Sequence, residues 1–471
     1  MAKKYNNVYL DTVIVGSGLS SLNFIDTYST NKKKIDVISP NVNLKISCES
    51  KYKIGALPPQ MYNKEKQVKN YFAANNLSNS KESKILGSLN FGGLSNYWGL
   101  QIDNYINIEN ENIGKKTKHE IKKSFFDLLI KYKLIGKFNF KNKIYKNEFK
   151  IPKSLENFIN KKSKGYKICR PILAYGCKLK KDSNNLTNEK KNKITANNFL
   201  IKSNLKKKII LHNYYLDKIT RVNNKYKLTC INGNIKKFFI VRKIILATGT
   251  IATTKLLIDF LKIKKEVKIY HHPRLIVAYL AKRKIDIKLN FIPSLLQLIG
   301  TFEKSTYTMD FRPGNESIIN SITDISKIFY PLKYFLKMIK KRIIFSNILL
   351  SSNNSNVYLK KKNETFRIYT KKNDILKKLK RINLNIFSFL LKKNFIFPLF
   401  KTHFPGIGSD FHYFGTIPFN KNNKLSVDEN CQLKNNKGIY IVDSSVFNFK
   451  NNKYPLGIVM ANARRIGKLL S

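Results

Sequence analysis

The chain has 471 residues, 42% of them hydrophobic, so it is long and apolar enough to fold around a sizeable core. A formal net charge of +60 would suit nucleic acid or an anionic membrane as partner. However, 78 of the 89 basic residues are lysine, and the few arginines, which make bidentate base contacts, form no cluster. We therefore ascribe the charge to a lysine-rich composition and predict no specific nucleic-acid partner. A basic module for nucleic acid or a membrane surface stays as an alternative.

Cysteines and apolar segments bear on the cellular compartment. The five cysteines form no C-x-x-C pair and are odd in number, which fits a reducing cytoplasm better than a disulfide framework. A strand-like run begins within ten residues of Met1, which leaves no room for a signal peptide. The most apolar stretch, residues 385–400, is interrupted by Lys392 and Lys393, so we predict no transmembrane segment. We expect a cytoplasmic protein, and a peripheral membrane contact stays open.

The first element, residues 8–21 (VYLDTVIVGSGLSS), has the pattern of a strand, a Gly-Ser-Gly turn and a helix. Gly16 would allow the tight turn, and Gly18 would let the backbone approach a pyrophosphate at the helix N-terminus. Ser20 and Ser21 lie at the helix start, and Ser21 stands where a dinucleotide pattern has its third glycine. This turn alone leaves three interpretations open: FAD, NAD, or a plain strand–helix corner.

The second strand, residues 34–40 (KIDVISP), ends in Ser39 and Pro40. A dinucleotide-binding unit usually has an acidic residue here that hydrogen-bonds the ribose. Asp36 lies too early in the strand, and strand alternation leaves open whether it points towards the site or to solvent. Ser39 could take over part of this role. We expect weaker binding of the adenosine half.

The middle of the chain contributes two glycine-containing segments. Residues 92–99 (GGLSNYWG) would run along a planar ring, with Gly92 and Gly93 allowing close approach and Ser95 or Asn96 hydrogen-bonding its polar edge. Residues 243–257 (KIILATGTIATTKLL) form a strand, a turn at Thr248 and Gly249, and a helix. Elsewhere, residues 178–193 are predicted as a loop, 325–344 as helical and 356–371 as strands.

The C-terminal region carries the sharpest chemical candidates. Residues 412–416 (HYFGT) place His412 in a glycine loop, and an imidazole with a pKa near 6.5 suits removal of a hydroxyl proton. Residues 438–463 read as a strand ending at Asp443 and Ser444, then a loop and a helix opened by Pro455 and Leu456. The packed face of that helix would be formed by Met460, Ala461, Ala463 and Ile466.

The remaining histidines give no such signal. His271 and His272, beside Pro273, are predicted as a surface turn, and His119, His212 and His403 match no motif. Because none of the histidines shows a metal-ligand spacing, we predict no metal.

Strand-then-helix alternations at residues 8–38, 208–258 and 438–470 predict an α/β fold with a doubly wound parallel sheet. Because these stretches lie far apart, the corresponding domain is predicted to be discontinuous: residues 1–105, 165–270 and 405–471. Residues 106–164 and 271–404 would form a second α+β domain.

Five blocks, in order, resemble the glucose–methanol–choline (GMC) flavin oxidoreductases: residues 8–21, 92–99, 243–257, 412–416 and 438–463. Together they cover about a fifth of the chain. The resemblance implies a Rossmann-like FAD-binding domain, a second substrate domain, and an Asp443 that faces the flavin's ribityl and pyrophosphate. The loop at 92–99 is most similar to the pyranose-oxidase branch, where a histidine binds the flavin covalently. Here that position is Tyr97, so we predict non-covalent FAD.

The resemblance also implies an activity. The family's His-x-x-Gly-Thr supplies the base, here His412, with hydride passing from a CH–OH group to flavin N5. The family's second His or Asn aligns with Tyr454, whose phenol can orient a substrate oxygen but is no base near neutrality. The expected partners are a sugar or polyol alcohol and an unknown electron acceptor. Three departures, at Ser39, Tyr97 and Tyr454, keep a catalytically degenerate flavin-binding protein as an alternative.

Overall fold

The structure is a computed structural model that describes residues 7–28, 34–40, 66–103, 108, 111–160, 165–176, 192–285, 294–314, 319–320, 331–451 and 453–471. It is mixed α/β with several sheets, which confirms the predicted class. The loop predicted at 178–193 lies almost wholly outside the described residues.

The largest sheet has seven strands in the spatial order β10-β11-β12-β1-β2-β9, with β21 also paired to β12. Its strands are β1 (Asn7–Val15), β2 (Ile35–Ile38), β9 (Ile209–His212), β10 (Tyr215–Val222), β11 (Lys225–Asn232), β12 (Ile235–Leu246) and β21 (Ile439–Ile441). Strands β9, β2, β1, β12 and β21 run parallel, whereas β10 and β11 form an antiparallel extension. Because parallel strands end at the same edge, segments from the start, middle and end of the chain meet there.

Nine helices lie in the described part of the chain: α1 (Leu19–Tyr28), α2 (Lys66–Ala74), α3 (Lys115–Tyr132), α4 (Lys153–Asn160), α5 (Ala196–Lys202), α6 (Thr250–Phe260), α7 (Lys333–Met338), α8 (Ile375–Lys392) and α9 (Leu456–Leu470). Helix α9 packs closely on α1, since a Cβ at Gly467 would lie 2.4 Å from the Phe24 carbonyl oxygen. The predicted packed face of α9 is confirmed, because its four named side chains are all fully buried.

Three further sheets complete the fold. One has the order β13-β18-β19-β3, with β13 (Val267–Ile269), β18 (Val357–Lys362), β19 (Thr365–Thr370) and β3 (Leu77–Asn79). A second has the order β20-β14-β17-β16-β15-β7, with β20 (Ile396–His403), β14 (Arg274–Ala281), β17 (Ile343–Leu350), β16 (Ser305–Pro313), β15 (Leu296–Phe302) and β7 (Tyr166–Cys169). The third has the order β4-β8-β5-β6, with β4 (Gln101–Ile102), β8 (Ile172–Gly176), β5 (Leu134–Phe140) and β6 (Lys143–Asn147).

Two local predictions can be compared with these elements. The strands predicted at 356–371 are confirmed as β18 and β19. The helix predicted at 325–344 is wrong from Ile343, where β17 begins. Among its described residues, 333–338 are α-helical and 340–342 form a 3-10 turn. The strand prevails there because Ile344, Ile348 and Leu350 are buried on a sheet whose strands pair on both sides.

Residues 385–400, the most apolar stretch, belong to the end of α8 and the start of β20. Within the described ranges, no helix is long and apolar enough to cross a membrane. The predicted domain boundaries stay predictions; β3 and β13, from the first predicted domain, pair with β19 and β18 from the second.

Candidate functional site

A cavity with about 390 Å³ of space lies at the carboxyl ends of the parallel strands. The structure brings sixteen of the eighteen predicted site residues to its wall: Gly16, Gly18, Ser20, Ser39, Gly92, Gly93, Ser95, Tyr97, Thr248, Gly249, His412, Asp443, Ser444, Tyr454, Pro455 and Leu456. The other two lie just behind the wall, where Ser21 is fully buried and Asn96 donates from its amide to the Phe91 carbonyl oxygen at 2.8 Å.

The first turn has the geometry that its glycines predict. Gly16 has a φ of +109°, and a Cβ there would lie 2.3 Å from the Ala247 carbonyl oxygen on the neighbouring strand, so only glycine fits. At Gly18 the nearest atom to an added Cβ is the Gly92 carbonyl oxygen at 4.0 Å, so this position opens onto free space. Helix α1 begins at the next residue, and its N-terminal N–H groups therefore border the cavity.

Ser39 stands in the position of the missing acidic residue, and its hydroxyl is hydrogen-bonded within the protein. Its hydroxyl donates to Ser17 Oγ at 2.7 Å, and Ser17 Oγ also accepts from the Gly92 backbone N–H at 3.0 Å. These bonds fasten the first turn to the glycine loop. Asp36 instead contacts His212, with 2.7 Å between Oδ1 and Nε2. The acidic residue of β2 therefore links β2 to the neighbouring edge strand β9.

The glycine loop turns sharply beside the cavity. Gly92 has a φ of +89° and precedes a short 3-10 helix over Gly93–Asn96. The Tyr97 hydroxyl accepts from the Asn90 amide at 3.1 Å, and the indole N–H of Trp98 donates to the Ile194 carbonyl oxygen at 3.1 Å. Both aromatic rings thus have fixed orientations on the cavity wall.

Asp443 joins the end of β21 to the turn after β12. Its Oδ2 accepts from the Gly249 N–H at 3.0 Å and the Thr253 hydroxyl at 2.5 Å, while Oδ1 accepts from the N–H and hydroxyl of Ser445 at 3.0 and 2.5 Å. Four donors match the roughly four acceptor positions of a carboxylate. Burial nevertheless raises the pKa of this carboxyl, although each hydrogen bond opposes that rise.

His412 faces the cavity with about a quarter of its side chain exposed. Its Nδ1 is buried without a hydrogen-bond partner and lies 4.0 Å from Asp410 Oδ2. Burial lowers the pKa of His412 to about 4, Asp410 raises it, and the positive charges of Arg274 and Arg312 lower it further. The imidazole is therefore neutral near pH 7.

Asp410 organises the histidines around it. Its Oδ1 contacts His271 Nδ1 at 2.8 Å, and its Oδ2 accepts from the His272 backbone N–H at 2.9 Å. Charges of the nearby histidines hold the pKa of Asp410 at about 2 despite its burial. The predicted surface turn at His271 and His272 is wrong, because both are fully buried. The Asp410 carboxylate, which contacts both residues, offsets the cost of burying these polar groups.

Three ligand atoms from His272, Asp410 and His412 lie within 4.8 Å of one another, a separation that can hold a metal ion. Sequence spacing gave no sign of this group, because His272 lies more than a hundred residues before Asp410 and His412. The positive charge of Lys453 acts on His272, and those of Arg274 and Arg312 act on His412. Because like charges repel a cation, this surrounding disfavours a divalent metal.

Tyr454 lies at the start of α9, and its ring packs edge-on against His412 with 5.8 Å between ring centres. Its backbone N–H donates to Asp103 Oδ2 at 3.3 Å. The buried hydroxyl makes no hydrogen bond of good geometry with described residues. Burial, followed by the charge of Asp310, raises the pKa of this phenol well above its usual value, so it stays protonated.

Residues that the sequence did not single out also line the cavity. Arg274, Arg312 and Asn347 lie on β14, β16 and β17 and line the cavity. An isolated arginine or asparagine in a strand belongs to no recognisable sequence motif. Only the pairing of the strands shows that these three residues lie at the cavity. For Asp410 a signal existed, since it lies two residues before His412.

The comparisons with known proteins leave the family open. No protein-family model matches the chain, and no curated protein matches its sequence at a significant level.

Proposed function

We propose that the protein is an FAD-dependent oxidoreductase that oxidises a CH–OH group, with a Rossmann-like FAD-binding domain built on the seven-stranded sheet. The observation that carries the proposal is that residues from distant parts of the chain meet in one cavity. A glycine turn at a helix N-terminus and a neutral histidine beside a protonated tyrosine, about four hundred residues apart in the chain, share one cavity.

The residues present fit a dinucleotide at the first turn. Gly18 opens onto the cavity, and the N-terminus of α1 favours a pyrophosphate there. The fit differs at two places from what the GMC resemblance implies. The side chains of Ser39 and Asp443 hydrogen-bond to other protein groups. Asp443 would therefore order the Gly249 turn instead of binding the ribityl chain. We propose non-covalent FAD, since Tyr97 replaces the histidine of the covalent branch.

In the proposed reaction, a bound FAD supplies the two-electron acceptor. His412 takes up the hydroxyl proton of the substrate: since its Nδ1 is buried towards Asp410, the exposed part of the ring is the side that carries Nε2. Tyr454 donates from its protonated hydroxyl and orients the substrate oxygen. Pro455 and the start of α9 border the same space, and the positive end of the helix favours negative charge that develops there.

One observation favours the degenerate alternative. An imidazole with a pKa of about 4 is a weaker base than one near 6.5, and base strength contributes to proton transfer. Replacing His412 with Ala discriminates between the two proposals. If the protein is an enzyme, reduction of the flavin by its alcohol substrate falls about 100-fold or more while flavin binding persists. A degenerate protein shows no substrate-driven reduction before or after the change.

The absorption spectrum of the purified protein, before and after denaturation and filtration, tests the cofactor directly. The expected result is a flavin spectrum that passes into the filtrate. Yellow colour retained on the denatured chain would contradict the interpretation of Tyr97. A protein that stays colourless after incubation with FAD would overturn the proposal and shift weight to a basic nucleic-acid or membrane-surface module.

A further inference from the structure

Two arginines flank the strand at the centre of the cavity's second wall. In the six-stranded sheet, Arg274 of β14 pairs with Leu349 of β17, and Arg312 of β16 pairs with Phe345 of β17. Asn347 lies midway between these two β17 positions. Since alternate strand residues share a face, all of these side chains lie on the side of the sheet that lines the cavity.

The two guanidinium groups are unequally compensated. Arg312 Nε donates to Asp310 Oδ2 at 2.6 Å and so has a carboxylate partner. Arg274 donates from Nη2 to the Ser409 carbonyl oxygen at 2.6 Å, its Nε is buried without a partner, and no described carboxylate lies within ion-pairing distance of it. An arginine remains charged at any physiological pH. The largest negative charge acting on Arg274 is that of Asp410, which forms no ion pair with it. Arg274 therefore brings to the wall a positive charge with no described carboxylate in contact, together with an unused Nε–H donor.

This charge lies next to the residues proposed for the chemistry. The Arg274 guanidinium stands 5.7 Å from the ring centre of Phe411, the residue before His412. Arg312 lies beside Tyr454, since its positive charge acts to lower the pKa of that phenol. An anionic group held by both arginines would thus place an attached hydroxyl within reach of His412 and Tyr454.

We propose that the substrate carries an acidic group, a carboxylate or a phosphate, that is bound by Arg274 and Arg312. The Asn347 amide between them donates to Asp310 Oδ2 at 3.2 Å and so holds that carboxylate in place. The guanidinium fork matches either oxyanion in a bidentate manner. The class of substrate is then a hydroxy acid, such as a sugar acid, or a sugar phosphate, and the acidic group takes no part in bond making or breaking. This inference rests on the proposed function for the oxidation of the hydroxyl, but the anion site itself does not require a flavin.

Trp98, the only tryptophan of the chain, lines the same cavity and provides a readout that is independent of turnover. The purified full-length protein is titrated with gluconate, glucose 6-phosphate and glucose while the Trp98 emission is followed. We expect at least one of the two anions to bind about tenfold or more tightly than neutral glucose. Preference for gluconate identifies a carboxylate site, and preference for glucose 6-phosphate a phosphate site. Equal binding of all three, or no binding of either anion, would overturn the proposal.

Arg274→Gln is the primary variant, because removal of Arg312 would also leave the buried Asp310 without its charged partner. It should weaken binding of the anion about tenfold or more and leave glucose unaffected. Arg274→Lys keeps the positive charge but loses the bidentate guanidinium geometry, so it should bind the anion more tightly than Arg274→Gln and less tightly than the native protein. Arg242→Gln is the matched control, since that side chain is 67% exposed and lies outside the cavity wall. Unchanged anion binding in Arg274→Gln would contradict the inference.

The two proposals fail in distinguishable ways. A colourless protein that binds gluconate through Arg274 would refute the flavoenzyme and leave the anion site standing. A flavoprotein that neutral polyols reduce equally well with and without Arg274→Gln would support the flavoenzyme and refute the anion site.

Discussion

Asp410 Oδ2 lies 4.0 Å from Nδ1 of His412, while Oδ1 of the same carboxylate contacts His271. The two relevant side chains differ in exposure, with 1% for Asp410 and 24% for His412. A buried carboxylate on one side of the imidazole favours a proton on Nδ1, which leaves the other nitrogen as acceptor towards the cavity. Asp410 is thus a positioning residue for the proposed base.

Asp410→Asn should separate this positioning role from a purely structural one. The Asp410 charge raises the pKa of His412, so its removal should move the acid limb of the kcat/KM profile below the value near 4 expected for the native enzyme. We also expect kcat to fall about tenfold or more, because the tautomer is no longer fixed. The profile measured between pH 3.5 and 8 on the folded variant checks both. An acid limb near 6.5 in the native enzyme would contradict the assigned environment of His412.

Gly16 and Gly18 form a matched pair for the proposed cofactor site. Gly16→Ala should destabilise the fold by about 2 kcal/mol or more, because its Cβ would clash with the Ala247 carbonyl and the φ is positive. Gly18→Ala meets no protein atom nearer than 4.0 Å and should fold normally, yet fill space that the pyrophosphate would need. Thermal unfolding without added FAD and FAD titration of both variants provide the comparison. Unimpaired FAD affinity in folded Gly18→Ala would place the cofactor elsewhere.

The depressed pKa of His412 predicts a stability loss in acid. The unfolded chain protonates this histidine near pH 6.5 and the folded chain only near 4, so the unfolded state binds more protons between these values. Stability should therefore fall as pH decreases from 6.5 to 4, with a contribution from His412 on the order of 3 kcal/mol. Urea unfolding of the native protein and His412→Gln across this range tests it. An equal pH slope in both proteins would argue against the burial of this ring.

Glu111 should give the opposite pH dependence. Burial raises the pKa of this carboxyl to about 7, although two contacts from the Asn448 N–H oppose the rise. Here the folded state binds more protons between about 4.5 and 7, so stability should decrease as pH rises through that window. In Glu111→Gln the carbonyl oxygen can still accept from Asn448, and this decrease should vanish. The melting temperature at pH 5 and pH 7.5, with the exposed Glu364→Gln as control, supplies the check.

Metal analysis addresses the cluster of His272, Asp410 and His412. Because the positive charges of Arg274 and Arg312 act on His412, we expect far less than one equivalent of zinc or iron per chain, and no change in melting temperature on addition of Zn²⁺. Stoichiometric metal that is lost in His272→Ala would reverse this expectation and reassign His412 as a ligand.

The sequence and the structure agree best where local rules are strong. Gly16, before a helix and after an apolar strand, predicts a tight turn that the structure contains, and α9 buries the face that its spacing predicts. Predictions failed where burial depended on distant partners. Nothing local at His271 and His272 announces that Asp410, more than a hundred residues later, lies between them. Likewise, the lysine-rich pattern of residues 325–344 resembles a helix, and only the pairing of β17 with β14 and β16 makes its last residues a strand.

By itself the sequence determined the α/β class, the strand–turn–helix units and sixteen of the residues that line the cavity, because glycine turns and apolar periodicity act over a few neighbours. Tertiary structure alone decided which charges meet. It committed Ser39 and Asp443 to protein donors, buried Asp410 among histidines, and set Arg274 and Arg312 on either side of β17. Hydrogen-bond partners and electrostatic neighbours depend on strand register and on separation in space, and neither is encoded in any short stretch of the chain.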